Sequence, residues 1–128
     1  PFTLTIDLDK IAAGKSVVIE NVFFDTDKSE LKPESYAELR VLTDFLNKNP
    51  NITIEIGGHT DNTGQKSRNL ELSNSRAKAV FDHLVSKGVP ANRLTYKGYA
   101  DGVPIADNNS EEGRAKNRRT EFKVIGLN

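Results

Sequence analysis

The spacing of apolar residues switches between a period of two and helical spacing along this chain, and this alternation constrains the fold more than any other feature. Ile52, Ile54 and Ile56 alternate with polar residues, which is typical of a strand with one buried face. On both sides of this strand apolar residues recur every three or four positions, which predicts helices at 33–49 and at about 66–88. Helices that connect strands in this way imply at least some parallel strand pairing through crossover connections.

Further strands are predicted at 2–8, 17–24, 93–99 and 118–125, where residues alternate or are rich in β-branched and aromatic types. Residues 100–117 contain glycine, proline and asparagine and are predicted to form mainly a long loop. The predicted order is strand, strand, helix, strand, helix, strand, loop, strand. In a chain of 128 residues this order predicts one domain of the α/β class, with the helices packed against one sheet.

The composition excludes several classes of protein. Lysine plus arginine and aspartate plus glutamate both number 18, and this balance argues against binding to nucleic acid or to an acidic membrane surface. The absence of cysteine excludes disulfides and thiolate chemistry. No apolar run is long enough to span a bilayer, and because the chain begins at Pro1 rather than at methionine we expect it to be a fragment of a longer precursor.

Basic residues cluster near the end of the chain, at Arg114, Lys116, Arg118 and Arg119. Glutamates flank this cluster on both sides. The mixture of signs favours a solvated face over a binding site for a polyanion.

The isoleucine strand is followed by a polar loop with the sequence Gly57-Gly58-His59-Thr60-Asp61-Asn62-Thr63-Gly64, and its two leading glycines are expected to end the strand. Loops at the carboxyl ends of strands are the usual ligand sites in α/β sheets. Asp61 supplies a negative charge, and Thr60 and Asn62 supply short hydrogen-bonding groups. Two interpretations remain open here: a ligand-binding loop, or a turn whose side chains bond to their own backbone.

Arg76 lies early in the second predicted helix and begins the row of core-facing residues that continues with Val80 and Leu84. An arginine on that side is rarely left unpaired. It either pairs with Asp61 as an internal salt bridge, or the two charges are held apart to clamp a zwitterion. In the second case Asp61 takes an ammonium group and Arg76 takes a carboxylate by a two-pronged contact.

A series of short motifs extends through most of the chain: Asn21-Val22-Phe23-Phe24-Asp25, Ser29-Glu30-Leu31, Gly58-His59-Thr60-Asp61-Asn62-Thr63-Gly64, Asn69, Leu72-Ser73, Arg76-Ala77, Val80, Gly98-Tyr99, Pro104, Asn108, Gly113-Arg114 and Asn117-Arg118-Arg119. With this spacing, residues 15–125 resemble the OmpA-like domain that also occurs in peptidoglycan-associated lipoprotein and in MotB. The resemblance implies an α+β fold of the βαβαβ type, a two-layer sandwich of one mixed sheet with two main helices on one face. It also implies a single domain over 1–128, with its core at about 15–125 and an extension or extra strand at 1–14.

The resemblance further implies that the chain binds peptidoglycan without catalysis, through the diaminopimelate residue of the peptide stem. Asp61 matches the aspartate that receives the ammonium group of diaminopimelate, and Arg76 matches the arginine that receives its carboxylate. The remaining polar positions expected to line or back the same groove are Asp25, Thr26, Asn69, Thr60, Asn62 and Arg118. Arg118 is preferred to Arg119 because alternation along the last predicted strand directs it toward the helices. No cofactor and no metal are implied.

The same resemblance implies a place in the Gram-negative cell envelope. The parent protein is expected to be anchored in the outer membrane, with this domain on the periplasmic side where the wall lies. Whether the domain forms a homodimer stays open.

An enzyme is the first alternative. Val22 to Ser29 resembles the first motif of haloacid-dehalogenase-type phosphatases, in which the residue at Asp25 would be the nucleophile, but no acidic pair follows a later apolar strand to hold Mg²⁺. A triad of His59, Asp61 and Ser73 lacks a nucleophile elbow.

Two further alternatives do not involve catalysis. A calcium loop beginning at Asp25 fails because Glu30 and Tyr36 occupy the positions where an EF-hand needs glycine and glutamate. An interaction domain of the envelope would keep the fold and use Asp61 and Arg76 as a salt bridge without binding the wall.

Overall fold

The computed structural model describes residues 16–19, 24 and 30–127, and for 16–19 and 127 it describes the backbone alone. Within these residues a mixed sheet is formed by four strands, namely β1 (Ser16–Ile19), β2 (Ile52–His59), β3 (Leu94–Ala100) and β4 (Arg119–Leu127), in the order β1-β4-β2-β3. β4 pairs antiparallel with β1 and with β2, whereas β2 and β3 run parallel. The predicted parallel pairing is thus confirmed between β2 and β3.

Both predicted helices are present. One turn of 3-10 helix at Pro33–Ser35 leads into α1 (Tyr36–Lys48), and α2 (Lys66–Ser86) connects β2 to β3. Gly88 follows α2 with a φ of +100°, the left-handed conformation that glycine adopts at low cost after a helix. In the part of the chain that the structure describes, no helix combines the length and apolar character that crossing a bilayer requires.

The core lies between the two helices and one face of the sheet. Ile54 and Ile56 of β2 are fully buried, as the period-two pattern predicts. They belong to one cluster with apolar residues of α1, α2 and the neighbouring strands: Leu39, Leu42, Phe45, Leu46, Ala77, Val80, Leu84, Leu94, Phe122 and Val124. The predicted two-layer α+β sandwich is therefore confirmed.

Three local predictions are wrong. β2 continues through Gly57 and Gly58 to His59, because both glycines pair with β3 and β4 on either side. The segment expected to be mainly loop contains a third helix, α3 (Glu111–Asn117). Arg118 follows α3 and precedes β4, so it is not the first residue of the last strand.

α3 is short, and contacts at both of its ends hold it in place. The Ser110 side chain accepts a hydrogen bond from the Gly113 N–H at 3.0 Å, which caps the first turn. At the other end Asn117 is fully buried and bonds to the backbone of Ile105 and Ala106. The loop before α3 and the helix itself therefore form one fixed unit.

Parts of the sequence predictions lie outside the described residues. These are the strand at 2–8, residues 20–23 of the strand at 17–24, and the two site residues Asp25 and Thr26. Phe24 is described, and it forms an isolated antiparallel bridge with Leu31.

Candidate functional site

An open groove of about 960 Å³ lies where the end of β2 meets the first turns of α2 and one face of α3. Five residues expected at the site line this groove or its floor, namely Thr60, Asp61, Asn69, Arg76 and Arg118. The loop after β2 leads directly into α2, whereas Arg118 lies 57 residues after Asp61, so the tertiary fold brings the charge of Arg118 to this site.

Two glycines set how closely α2 approaches the sheet. Gly58 and Gly98 are partners in the parallel pairing of β2 and β3. A Cβ atom on Gly58 would lie 2.2 Å from the Ser73 carbonyl oxygen, and one on Gly98 would lie 2.3 Å from the Asn74 nitrogen. The helix backbone therefore rests directly on the sheet at Ser73, one turn before Arg76, and this contact brings the guanidinium of Arg76 to the same groove as Asp61.

Asp61 is buried, with 7% of the residue exposed, and its carboxylate is held by two donors. Oδ1 accepts a hydrogen bond from the Thr63 N–H at 2.8 Å, and Oδ2 accepts one from Arg118 Nη1 at 2.6 Å. Burial acts to raise the pKa of Asp61, but the bonds from Thr63 and Arg118 outweigh it, so the pKa lies below its usual value. The groove therefore contains a fixed negative charge at neutral pH.

Arg118 bridges two carboxylates. Besides the bond to Asp61, its Nη2 donates to Glu111 Oε1 at 2.8 Å. Its side chain is 42% exposed, and Glu111 lies in the first turn of α3. Arg118, rather than Arg119, contacts Asp61, since the Arg119 side chain is buried and donates to Glu121 and to the Val103 carbonyl instead.

Arg76 lies against an aromatic ring. Its guanidinium carbon is 4.9 Å from the centroid of Phe24, within the range of a cation–π contact. Within the described residues the guanidinium paired with Asp61 belongs to Arg118. The alternative of an internal salt bridge expected Arg76 as the partner of Asp61, whereas the ion pair that Asp61 forms in the structure is with Arg118.

The other predicted site residues differ in how they are used. The Thr60 hydroxyl donates to the Asp61 carbonyl at 2.8 Å, and the Asn69 amide donates to the Thr63 carbonyl at 2.9 Å, so both side chains fasten the loop that carries Asp61. Asn62 is exposed and is not among the residues that line the groove.

Several residues that line the groove were not expected at the site, among them Glu111, Arg114 and Phe24. Glu111 and Arg114 belong to α3, which was expected to be loop, and Phe24 contacts Arg76 from the opposite side. The cap at Ser110 and the glutamates that follow it were the available signals for a helix start. The glycines, proline and asparagines around them concealed it.

A second polar cluster lies on the sheet face opposite the helices. His59 is buried and stacks on Tyr99 with the ring centroids 5.0 Å apart. Its Nε2 is 3.3 Å from Glu121 Oε1, and the Tyr99 hydroxyl donates to the Glu55 carboxylate. The His59 imidazole, followed by Arg119, lowers the pKa of Glu121 to about 2, while the bond to Glu55 raises the pKa of Tyr99 to about 12.

These contacts disfavour the hydrolase alternative. The Ser73 hydroxyl donates to the Leu70 carbonyl and accepts from the Ala100 N–H, whereas His59 packs against Tyr99. Serine and imidazole are thus engaged in separate contacts, and no nucleophile–base pair is formed between them. Over residues 16–19, 24 and 30–127, no three histidine, aspartate or glutamate side chains are grouped so that they could hold a metal ion.

Comparison with known proteins places this geometry in a family. The family model described as "OmpA family" matches residues 23–118. The chain is 45% identical over 104 residues to outer membrane porin F of Pseudomonas fluorescens, covering 81% of the chain and 32% of that protein. It is 42% identical over 103 residues to the peptidoglycan-binding protein ArfA of Mycobacterium tuberculosis, covering 80% of the chain and again 32% of the relative.

A solved structure agrees with these matches. The peptidoglycan-associated lipoprotein of Burkholderia pseudomallei superposes with a TM-score of 0.73 at 30% identity, covering 80% of this chain and 87% of that one. The chain spans about a third of the length of the two curated relatives. Because the family model covers most of the chain and the fold agrees, the chain belongs to the OmpA family.

Proposed function

We propose that this chain, as one domain, binds peptidoglycan without catalysis through the diaminopimelate residue of the peptide stem. The observation that carries the proposal is a groove that holds a buried, ionised carboxylate and a guanidinium on separate elements. Two of the relatives support it by name, one as peptidoglycan-binding and one as peptidoglycan-associated.

Diaminopimelate has an amino acid group at the free end of its side chain, which is a zwitterion. Asp61 receives the ammonium group, and Arg76 receives the carboxylate by paired hydrogen bonds. Asn69 and Thr60 keep the loop of Asp61 in shape, and Arg118 backs the aspartate. Asn62, together with Asp25 and Thr26, completes the proposed binding set.

The cellular role that we propose follows from what is bound. Relatives include an outer membrane porin, and this chain corresponds to about a third of its length. A domain of this kind on the periplasmic side would tie an outer-membrane protein to the wall. We propose this anchoring role for the parent protein as a whole.

Selectivity for the third stem residue tests the proposal. A stem peptide with lysine in place of diaminopimelate keeps the amine but lacks the distal carboxylate, which leaves the Arg76 guanidinium without its ligand partner. We expect the lysine peptide to bind more weakly by about 2 kcal/mol, since it cannot form the hydrogen bonds between the distal carboxylate and the Arg76 guanidinium. Calorimetric titration of the two matched peptides measures this difference.

Substitutions at Asp61 and Arg76 test how each charge contributes to peptide binding. Asp61→Asn should weaken binding of both peptides, whereas Arg76→Lys should reduce the preference for diaminopimelate because lysine lacks the planar fork. Arg40→Lys changes an exposed arginine of α1 outside the groove and serves as the control. Equal affinity for the two peptides would remove Arg76 from ligand recognition. If the domain bound neither peptide and did not sediment with sacculi, the results would favour an interaction domain that does not bind the wall.

A further inference from the structure

We propose that Glu111 of α3 is a positioning residue that sets the charge at the ammonium-binding end of the groove by holding Arg118. This inference rests on the proposed function and assigns a specificity role to a residue outside the diaminopimelate-binding pair. It acts through Arg118 and requires no direct contact between Glu111 and the ligand.

The contacts of Asp61 limit how strongly this carboxylate can attract the ammonium group of a ligand. Both oxygens of this carboxylate already accept a hydrogen bond, and one of the donors is the guanidinium of Arg118 at 2.6 Å. A cation at that distance cancels much of the field that an incoming ammonium group would experience. With Arg118 as its only charged neighbour, Asp61 would be a neutralised carboxylate and a weak receptor for a cation.

Glu111 restores the negative charge. It accepts a hydrogen bond from the second nitrogen of Arg118 at 2.8 Å, so this guanidinium is shared between two carboxylates. Its other oxygen is 3.7 Å from Nε of Arg114, which also lines the groove. Glu111 therefore offsets part of the positive charge of two guanidinium groups that line the groove.

The balance of charges along the groove makes this contribution necessary. Among the described residues that line it, four are arginines, namely Arg76, Arg114, Arg118 and Arg119, and the carboxylates are Asp61 and Glu111. Arg119 is paired with Glu121 beneath the groove. Among the described residues that line the groove, loss of Glu111 would leave Asp61 as the carboxylate that compensates Arg118, and the ammonium-binding end would become less negative.

The experiment compares two neighbouring glutamates in the same helical turn. Glu111 and Glu112 both lie in the first turn of α3, with side chains 64% and 85% exposed, so Gln at either position removes one carboxylate from the positive end of the helix dipole. Glu112 pairs with Lys116 and does not line the groove. We expect Glu111→Gln to weaken binding of the diaminopimelate peptide about threefold to fivefold, the range of a partly screened charge, and Glu112→Gln to leave it unchanged.

Two readouts separate this role from damage to the fold. A stem peptide whose distal amine is acetylated presents no cation, so Glu111→Gln should not weaken its binding. In NMR spectra of the ligand-free protein, the Arg118 guanidinium signals should shift in Glu111→Gln and remain in place in Glu112→Gln. Equal effects of the two variants, or an equal loss for the acetylated peptide, would overturn the inference while leaving the proposed function intact. If the unmodified domain bound no stem peptide at all, both the inference and the proposed function would be contradicted.

Discussion

At the scale of single residues, the absence of a side chain is as important for the site as the charges themselves. Gly58 and Gly98 form a flat surface on which the backbone of α2 rests at Ser73 and Asn74. The same contact lets the Ser73 hydroxyl accept a hydrogen bond from the Ala100 N–H at 3.1 Å. The distance between sheet and helix, and with it the position of Arg76, depends on these two glycines.

Gly98→Ala should therefore destabilise the domain by about 1–3 kcal/mol, because the new methyl group would overlap backbone atoms that cannot move independently. Binding of the stem peptide should also weaken, as α2 is displaced relative to Asp61. Gly57→Ala provides the comparison, since the atoms nearest to its Cβ would belong to the His59 and Tyr99 side chains, at 3.2 Å on the opposite face. Urea unfolding and peptide titration measure both effects, and equal losses in the two variants would contradict the explanation.

At the scale of elements, α3 and the loop before it depend on one buried amide. Asn117 Oδ1 accepts hydrogen bonds from the backbone of Ile105 and Ala106, and its Nδ2 donates to the Ala106 carbonyl and to Asn108 Oδ1. Because α3 carries Glu111 and leads directly to Arg118, these four bonds also fix one wall of the groove.

Asn117→Ala should lower the free energy of unfolding by about 2–4 kcal/mol, because it removes four hydrogen bonds and leaves backbone groups without partners. Amide hydrogen exchange at Ile105 and Ala106 should accelerate more than exchange in α1. Asn109→Ala changes an exposed position in the same loop, and its free energy of unfolding should stay within about 0.5 kcal/mol of that of the unmodified protein. Unchanged protection at Ile105 and Ala106 in the Asn117 variant would show that the loop is held by other contacts.

At the scale of the whole molecule, the sheet separates two environments. One face is covered by α1 and α2 and carries the apolar core, and the other carries the cluster of His59, Tyr99 and Glu121. The pKa of Glu121 is lowered from 4.5 to about 2, first by the His59 imidazole and then by Arg119. Stability of the domain is therefore linked to pH through this face.

A lowered carboxylate pKa stabilises the folded state fully above about pH 4.5, and this stabilisation is lost as the pH falls through about 2. Glu121→Gln should therefore be less stable than the unmodified protein at pH 6, by at most about 3 kcal/mol. The difference should shrink steadily between pH 4.5 and pH 2, because protonated glutamate and glutamine are both neutral. Urea unfolding of the two proteins at pH 6, 4, 3 and 2 measures it, and a difference that does not change with pH would refute the linkage.

The sequence by itself determined the two main helices, the central strand and the charges at Asp61 and Arg76, because periodicity and local motifs are properties of neighbouring residues. Motif spacing also selected Arg118, although not its position after a helix. Local pattern could not show that Gly57 and Gly58 continue a strand, since their pairing depends on β3 and β4.

Only the tertiary structure decided which guanidinium pairs with Asp61 and that Glu111 shares it. The contact between Asp61 and Arg118 joins residues 57 positions apart in the chain. Glu111, which shares Arg118, lies in α3, a helix of seven residues. A helix of that length has little intrinsic stability and is formed by the contacts around it. The charge of the site was therefore set by packing between distant segments, which no local sequence pattern records.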